Sequence, residues 1–303
     1  MYMQTLIFSL LEILLMVLLG YLIKKKEIIS SSTFKDLSNL LLSVTLPLSI
    51  LASGAEKSDA VSGKLMLTAA GASFLYYALA FVITFIAFKA IGNKDHKEIN
   101  TTMCIFANTG FIGFPLTKTL YGSEGLMYAV IYNLAYNAFF FTLGTKILAK
   151  SNEKLDWKKI FLDPLTIASI LAILIFGFSI PIPDIIKNPM QTVGDMTVPL
   201  SMFIIGGELV GLKLKNLFEN KEAYLICAIR LLIFPLLALC AFIPLQTSEI
   251  LRATIILITA LPIGSLNVIV ATKYGYDATY ANETMFLSMI LSVVTIPLIM
   301  LLI

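Results

Sequence analysis

Long apolar stretches alternate with short polar ones along the whole chain, a pattern typical of membrane-spanning helices. A helix needs about 20 mainly apolar residues to cross a bilayer. Eight charge-free runs approach or exceed this length: Leu37–Ala55, Leu65–Phe88, Ile99–Thr117, Gly125–Thr145, Pro164–Pro183, Leu231–Ser248, Ala253–Thr272 and Thr284–Ile303. Two further runs contain acidic residues: about Met3–Ile23 contains Glu12, and about Gln191–Leu212 contains Asp195 and Glu208. The pattern predicts an all-α polytopic membrane protein with ten transmembrane helices.

The composition excludes an ordinary water-soluble enzyme. Hydrophobic residues make up 58% of the 303 residues, charged residues make up 14%, and the mean hydropathy is +0.90. Soluble domains have about 45–50% apolar and about 25% charged residues. The net charge of +3 is too small to indicate a nucleic-acid partner.

Residue types that bind metals or perform catalysis are scarce. The three cysteines, Cys104, Cys227 and Cys240, lie in apolar stretches, and we interpret them as small hydrophobic residues. His96 is the single histidine, and the chain has no phosphate-binding motif of the form Gly-x-x-x-x-Gly-Lys-Ser/Thr. The sequence therefore predicts no enzyme activity, no metal site and no cofactor.

The distribution of lysine and arginine predicts the orientation. With the N-terminus outside, the inner loops hold 16 of the 22 basic residues and the outer loops hold 5, while Arg230 falls within a span. Basic residues favour the cytoplasmic side. Lys24–Lys26 follow the first apolar run, which indicates a retained span rather than a cleaved signal peptide. We expect a multi-pass cell-membrane protein with both termini outside.

Two similarities between the halves of the chain indicate an internal repeat. Segments 45–49 and 197–201 both have the pattern Thr-x-Pro-Leu-Ser, and the glycine and glutamate that follow each segment keep the same offset of 152 residues. A lysine also precedes Tyr121-Gly122 after span four, and another precedes Tyr274-Gly275 after span nine.

A repeat of five spans predicts an inverted architecture, because an odd number of crossings reverses the second half. We expect a first repeat over 1–148 (spans 1–5), a cytoplasmic linker over 149–160 and a second repeat over 161–303 (spans 6–10). Inverted repeats are an architecture of secondary transporters. A duplication without transport is the alternative.

Proline and glycine interrupt spans four and nine. Gly110, Gly113 and Pro115 lie in span four, and Pro262 and Gly264 lie in span nine. Unwound backbone persists at membrane depth only where protein or a water-filled cavity satisfies it. Interrupted spans at matching positions point to a transport site, where half-helix N-termini attract anions. A plain proline kink in each span is the alternative, which the symmetric pair disfavours.

The residues around these interruptions resemble the signatures of the auxin efflux carrier family, and the resemblance extends over both halves. The matching positions are Asn108-Thr109, Gly113, Pro115-Leu116, Lys118 and Tyr121-Gly122 in span four, Ala260-Leu261-Pro262 and Gly264 in span nine, and Arg230 with Pro235 in span eight. Features of the bacterial branch are Gly194-Asp195 with Pro199-Leu200, Asn267, and Leu291-Ser292 with Thr295 and Pro297.

The resemblance implies a fold related to sodium/proton antiporters and bile-acid symporters. Spans 1, 2, 6 and 7 would form a scaffold, and spans 3–5 and 8–10 a transport domain in which broken spans 4 and 9 cross. It also implies an organic-anion substrate, since plant members export auxin and some bacterial members are described as malate or malonate permeases. A homodimer through the scaffold is an expectation from the family alone.

Substrate-binding residues are expected at the interruptions and on span five. Asn108 either binds a substrate carboxylate or satisfies freed backbone groups, and Asn267 has the mirror role. On span five, a stripe of tyrosines runs beside Asn133 and Asn137, which favours a polar cavity wall over plain packing. The predicted set is Asn108, Thr109, Gly110, Gly113, Pro115, Asn133, Tyr136, Asn137, Pro262, Gly264 and Asn267.

Asp195 and Arg230 are the candidates for ion or charge coupling, because ionisable residues within spans are expensive and functional by default. Arg230 either attracts the anion or has a structural role, in which it pairs with an acidic residue or extends its charged group to the inner membrane face. Asp195 either carries a coupling proton, or interacts with a helix end or a loop.

Together these features predict a secondary transporter of a small organic anion, auxin-like or a dicarboxylate such as malate or malonate. It would work by elevator-type or rocking alternating access, with the lipid bilayer and the anion as its partners. The alternative is a membrane sensor or receptor on a carrier fold without net flux. The identity of the anion, the direction of transport, the coupling ion and the oligomeric state stay open.

Overall fold

The computed structural model describes residues 2–56, 61–91, 96–149, 162–210, 221–242 and 247–303. Within these ranges the chain is helical and contains no β-strand. The predicted linker 149–160 lies outside the described residues, apart from Ala149. The helices are α1 (Tyr2–Lys25), α2 (Ser31–Leu40), α3 (Leu46–Ala55), α4 (Gly63–Ile91), α5 (Lys97–Ile105), α6 (Phe114–Phe139), α7 (Thr145–Ala149), α8 (Pro164–Gly177), α9 (Asp184–Asp195), α10 (Thr197–Glu208), α11 (Lys221–Ala228), α12 (Phe234–Phe242), α13 (Glu249–Thr259), α14 (Ser265–Lys273) and α15 (Ala278–Met300).

Widened π-helical turns join several of these helices. They span Leu41–Thr45, Thr109–Gly113, Phe140–Gly144 and Ile229–Ile233. Three of them end two residues before a proline: Pro47, Pro115 and Pro235. Proline lacks a backbone N–H and clashes with the carbonyl four residues earlier. A wider turn before the proline accommodates both effects and lets the helix continue.

Acidic and hydroxyl side chains cap the starts of four described helices, including α2, where Ser30 Oγ accepts from the Thr33 N–H. The Asp163 carboxylate accepts from the Thr166 N–H before α8, and Ser248 Oγ accepts from the Leu251 N–H before α13. Asp277 caps α15 by accepting from the N–H groups of Thr279 and Tyr280. Such caps satisfy N–H groups that have no partner within the helix. They explain why α13 and α15 begin before the charge-free runs of the sequence.

The described helices identify a polytopic membrane protein. Five helical stretches are long and apolar enough to cross a membrane: Ser32–Ala55, Gly63–Phe88, Thr109–Ala149, Lys221–Phe242 and Ala278–Met300. On α4, large apolar side chains such as Leu67, Phe74 and Phe85 are exposed. These surfaces suit lipid rather than water, which confirms the predicted class.

The chain divides into two compact units. The first unit contains residues 1–64, 110–130 and 161–212, and the second contains residues 65–109, 131–160 and 213–303. In the first unit, glycines allow close backbone approach: Gly206 of α10 lies against Val17 and Tyr21 of α1, and Gly54 of α3 lies against Ala172 of α8.

Aromatic rings fill the second unit between α4, the α5 end and span five. Tyr77 lies within 6.2 Å of Phe106, Tyr132, Tyr136 and Phe139, measured between ring centroids. Tyr136 stacks on Phe140 at 5.6 Å. Phe106, the first non-helical residue after α5, is part of this packing.

Candidate functional site

Two helix interruptions meet in the second unit. The chain is extended after α5 at Phe106 and lacks helix at Ala107 and Asn108, and between α13 and α14 it is interrupted at 260–264. Ala107 and Ile263 form an isolated antiparallel β-bridge. The Asn108 N–H donates to the Pro262 carbonyl over 2.9 Å, and the Gly264 N–H donates to the Phe106 carbonyl over 3.0 Å. Backbone groups freed by one interruption are thus satisfied by the other.

Gly264 permits this close approach. A Cβ atom at this position would lie 2.6 Å from the Ala107 carbonyl oxygen. The neighbouring Ile263 N–H donates to Ser288 Oγ over 3.0 Å, which joins the bridge to α15. A glycine is therefore required by the backbone contact itself.

Asn267 braces the same junction from the first turn of α14. Its Nδ2 donates to the Phe106 carbonyl and to the Gly264 carbonyl, both over 2.9 Å. The side chain is fully buried, and its Oδ1 has no hydrogen-bond partner among the described residues. The Asn267 amide thus satisfies two backbone carbonyls, while its own Oδ1 accepts no hydrogen bond from the described residues.

Thr109 and Asn133 form a polar pair next to the junction. Thr109 Oγ1 donates to Asn133 Oδ1 over 3.0 Å, and both residues are at most 5% exposed. Asn133 Nδ2 has no hydrogen-bond partner among the described residues. A buried donor without a partner is costly, so this N–H group is available to a ligand acceptor.

The remaining predicted polar residues of the second unit are buried. Asn108 and Asn137 are 4% and 6% exposed. Tyr136 is packed among aromatic rings, with Phe106 at 5.4 Å and Phe140 at 5.6 Å. Its ring therefore has a packing role in the structure.

Arg230 lies fully buried at the helix ends that precede the two interruptions. Its Nε donates to the Leu261 carbonyl over 2.9 Å, and Nη2 donates to the Ile258 carbonyl over 3.3 Å. Nη1 donates to Tyr76 Oη over 2.7 Å and lies 3.5 Å from the carbonyl oxygens of Cys104 and Ile105. Neither of the two ion pairs in the described part of the chain includes Arg230.

Other predicted residues belong to the first unit. Gly110 is half-buried, and Gly113 and Pro115 are buried. The extended residues lie before these three, and Thr109–Gly113 is a widened helical turn. Asp195 is exposed at the end of α9, where its carboxylate accepts from Lys118 Nζ over 2.8 Å, and the same Nζ donates to Ser49 Oγ over 3.1 Å.

The sequence of the chain matches a family model described as membrane transport protein, over residues 5–158 and 153–300. The chain belongs to this family, which includes the auxin efflux carriers. The resemblance identified from the motifs of spans four and nine is therefore confirmed.

Two archaeal relatives in this family match the chain over nearly its whole length. An uncharacterized transporter of Methanothermobacter thermautotrophicus is 24% identical over 294 residues, which cover 96% of each chain. An uncharacterized transporter of Methanocaldococcus jannaschii is 23% identical over 294 residues, covering 94% of this chain and 95% of the relative. The protein is accordingly a membrane transporter of the membrane transport protein family.

A polar cluster that lies at the start of α5 was not predicted from the sequence. Glu222 accepts from Asn100 Nδ2 over 2.6 Å and lies 3.5 Å from His96 Nδ1. Tyr280 donates to Asn100 Oδ1 over 2.8 Å and stacks on the His96 ring at 4.1 Å. These residues come from three distant segments, and only their placement close to three helix starts could have suggested the contact.

Proposed function

We propose that this transporter moves a small organic anion by alternating access, either elevator-type or rocking, and uses the junction of the two interrupted helices as its binding site. The observation that carries the proposal is the bridge between Ala107 and Ile263, with a helix beginning directly after each interruption. Family membership makes transport the expected activity.

The polarity of this junction favours a negative ligand. The N-terminus of α14 follows Gly264, and helix N-termini carry about half a positive charge. Asn133 Nδ2 adds a buried donor without a protein partner in the described part of the chain. A carboxylate accepts hydrogen bonds from several donors at once, so an auxin-like monoanion or a small dicarboxylate such as malate or malonate fits these groups.

Ten spans in two inverted repeats are part of the proposal, and turn geometry supports them. Gly122 and Gly275 have φ of +62° and +79°, and they are the glycines of the repeated Tyr-Gly pairs. The helical stretch Thr109–Ala149 has 41 residues, far more than the about 20 that one crossing needs. A turn at Gly122 would divide it into spans four and five.

Glycine contacts in the first unit also have the symmetry of an inverted repeat. Gly206 of span seven packs against span one, and the equivalent Gly54 of span two packs against span six. Exchanging the halves converts one contact into the other. This supports a repeat boundary near 149–160, with spans 1, 2, 6 and 7 as scaffold and spans 3–5 and 8–10 as transport domain.

We further propose a cell-membrane location with both termini outside. The cluster of His96, Glu222 and Tyr280 supports alternating crossings, because it brings together the segments before spans four, eight and ten. In the proposed topology all three segments lie on the cytoplasmic side.

Thermal unfolding of the purified protein with added ligands tests the anion site. Indole-3-acetate, malate and malonate are compared with tetraethylammonium, a cation, at equal ionic strength. We expect at least one anion to raise the midpoint for the wild type and for Asn282→Leu, which removes a half-buried amide that donates to the Ala278 carbonyl. The rise should vanish in Asn133→Leu. Stabilisation by the cation alone, or an equal rise in Asn133→Leu, would contradict the proposed site.

A further inference from the structure

Arg230 is a buried cation whose partners are backbone carbonyls and a tyrosine hydroxyl. Its side chain is 0% exposed, and carbonyl oxygens surround both edges of the guanidinium. Burying a cation is costly unless it is compensated. Arg230 takes part in neither ion pair of the described residues, and its compensation there comes from these carbonyls and the Tyr76 hydroxyl.

The carbonyls belong to the C-terminal ends of the two helices that stop at the junction. Cys104 and Ile105 are the last residues of α5, while Ile258 lies in the last turn of α13 and Leu261 follows it. The last four carbonyls of a helix have no partner within the helix. They also form the negative end of the helix dipole.

The charges of these groups balance. Each helix end carries about half a negative charge, so the two ends together carry about one. One guanidinium supplies the opposite charge. The planar guanidinium also contacts both helix ends at once. Its Nε and Nη2 donate to carbonyls at the α13 end, while Nη1 faces carbonyls at the α5 end.

We propose that Arg230 is the built-in cation of the helix junction: a positioning residue that takes the place where two converging negative helix ends would otherwise hold a monovalent cation from solution. This inference rests on the proposed function in one respect, namely that the junction binds the anion. With the negative ends neutralised, the helix N-termini dominate the field at the junction, so an anion can bind there without a co-bound cation.

Chemical rescue provides the test. Arg230→Ala removes the side chain and leaves space for a free guanidinium ion, and Arg252→Ala is the control, because Arg252 is a half-buried arginine of α13 in the same unit. Thermal unfolding is measured in low guanidinium chloride and in sodium chloride at equal ionic strength. We expect Arg230→Ala to unfold several degrees below the wild type and guanidinium to recover a part of this loss, whereas the wild type and Arg252→Ala show no gain.

Recovery of Arg230→Ala by sodium as well would also support a cation position. No recovery with either salt, in a folded variant, would overturn the proposal. If Arg230→Ala does not fold, the stabilities of Arg230→Lys and Arg230→Met are compared instead. These two side chains are similar in length but differ in charge. Greater stability of Arg230→Lys supports the built-in cation, and equal or greater stability of Arg230→Met overturns it. None of these measurements uses the substrate. A negative result would therefore overturn the role of Arg230 without contradicting anion transport, which flux measurements test separately.

Discussion

Ala107 and Ile263 pair as an antiparallel β-bridge, although they lie in different halves of the chain. Each follows a helix that stops, and each precedes a helix that starts. The pairing satisfies backbone groups that no helix can satisfy at these positions, which is a strict requirement at membrane depth. The two interruptions therefore form one structural element, and a substitution in one of them should also perturb the other.

Gly264→Ala should destabilise the junction. The added Cβ would lie 2.6 Å from the Ala107 carbonyl oxygen, and backbone cannot yield as a flexible side chain does. Overpacking of this kind costs about 1–3 kcal/mol. Thermal unfolding in detergent measures the effect beside Gly71→Ala, where no atom apart from the adjoining helix backbone and chain neighbours lies within 4 Å of the added Cβ. A Gly264→Ala variant as stable as Gly71→Ala would contradict the close approach.

Asn267→Asp should cost more stability than the equivalent change at Asn282, a half-buried asparagine of α15. It replaces a donor to two carbonyls by a carboxylate that repels them. Leaving buried polar groups unsatisfied costs about 1–3 kcal/mol per group. Asn282→Asp is the control, because the Asn282 amide is half-buried and donates to the Ala278 carbonyl of its own helix, whereas Asn267 is fully buried and donates to two carbonyls of the junction. Similar unfolding midpoints for both variants would show that the Asn267 amide does not hold the junction.

Proline and glycine predicted the location of the interruption in span nine, but neither the location of the one in span four nor the geometry of the pair. Pro262 and Gly264 lie within the interruption before α14, whereas the interruption after α5 precedes Gly110, Gly113 and Pro115. Pro115 is the second residue of α6, where the widened turn 109–113 accommodates its missing N–H. The extended residues are instead held by the bridge to Ile263, a long-range pairing that local sequence does not encode.

The partners of polar residues were equally hidden from the sequence. Arg230 binds carbonyls that every residue type possesses, so no pattern of side chains reveals them. Asn133 was recognised from its spacing to Asn137, but its bond to Thr109 depends on how span five packs. Tyr136 belonged to a tyrosine stripe that also suited a cavity wall, and two of the rings that pack on it, Tyr77 and Phe106, come from outside span five.

The paired glycine contacts of the first unit predict matched losses of stability. A Cβ at position 206 would overlap the Val17 carbonyl oxygen, and one at position 54 would lie 2.6 Å from the Ala172 carbonyl oxygen. Gly206→Ala and Gly54→Ala should each lower the unfolding midpoint, and Gly206→Ala should lower it more. Gly63→Ala, with open space around its Cβ, should not. A large loss in only one of the two variants would argue against equivalent roles.

The proposed topology predicts opposite accessibility for the residue that follows α1, Lys26, and for the C-terminal end of the described chain. In a Cys240→Ser background, which removes the exposed native cysteine, Leu302→Cys should react with a membrane-impermeant thiol reagent on intact cells. Lys26→Cys should react only after permeabilisation. Cys104 and Cys227 are buried and should stay silent. Labelling of Lys26→Cys but not of Leu302→Cys on intact cells would contradict the proposed orientation and indicate the opposite one.

Flux through reconstituted protein tests the central claim most directly. Proteoliposomes are loaded with unlabelled indole-3-acetate, malate or malonate, and uptake of the same labelled anion is followed by counterflow, with and without gradients of pH, sodium and voltage. We predict saturable counterflow of at least one anion in the wild type and in Gly71→Ala, and strongly reduced counterflow in Asn133→Leu. Anion binding without any counterflow would indicate a sensor on a carrier fold. Counterflow that is equal in the wild type and in Asn133→Leu would contradict transport through the junction of the interrupted helices.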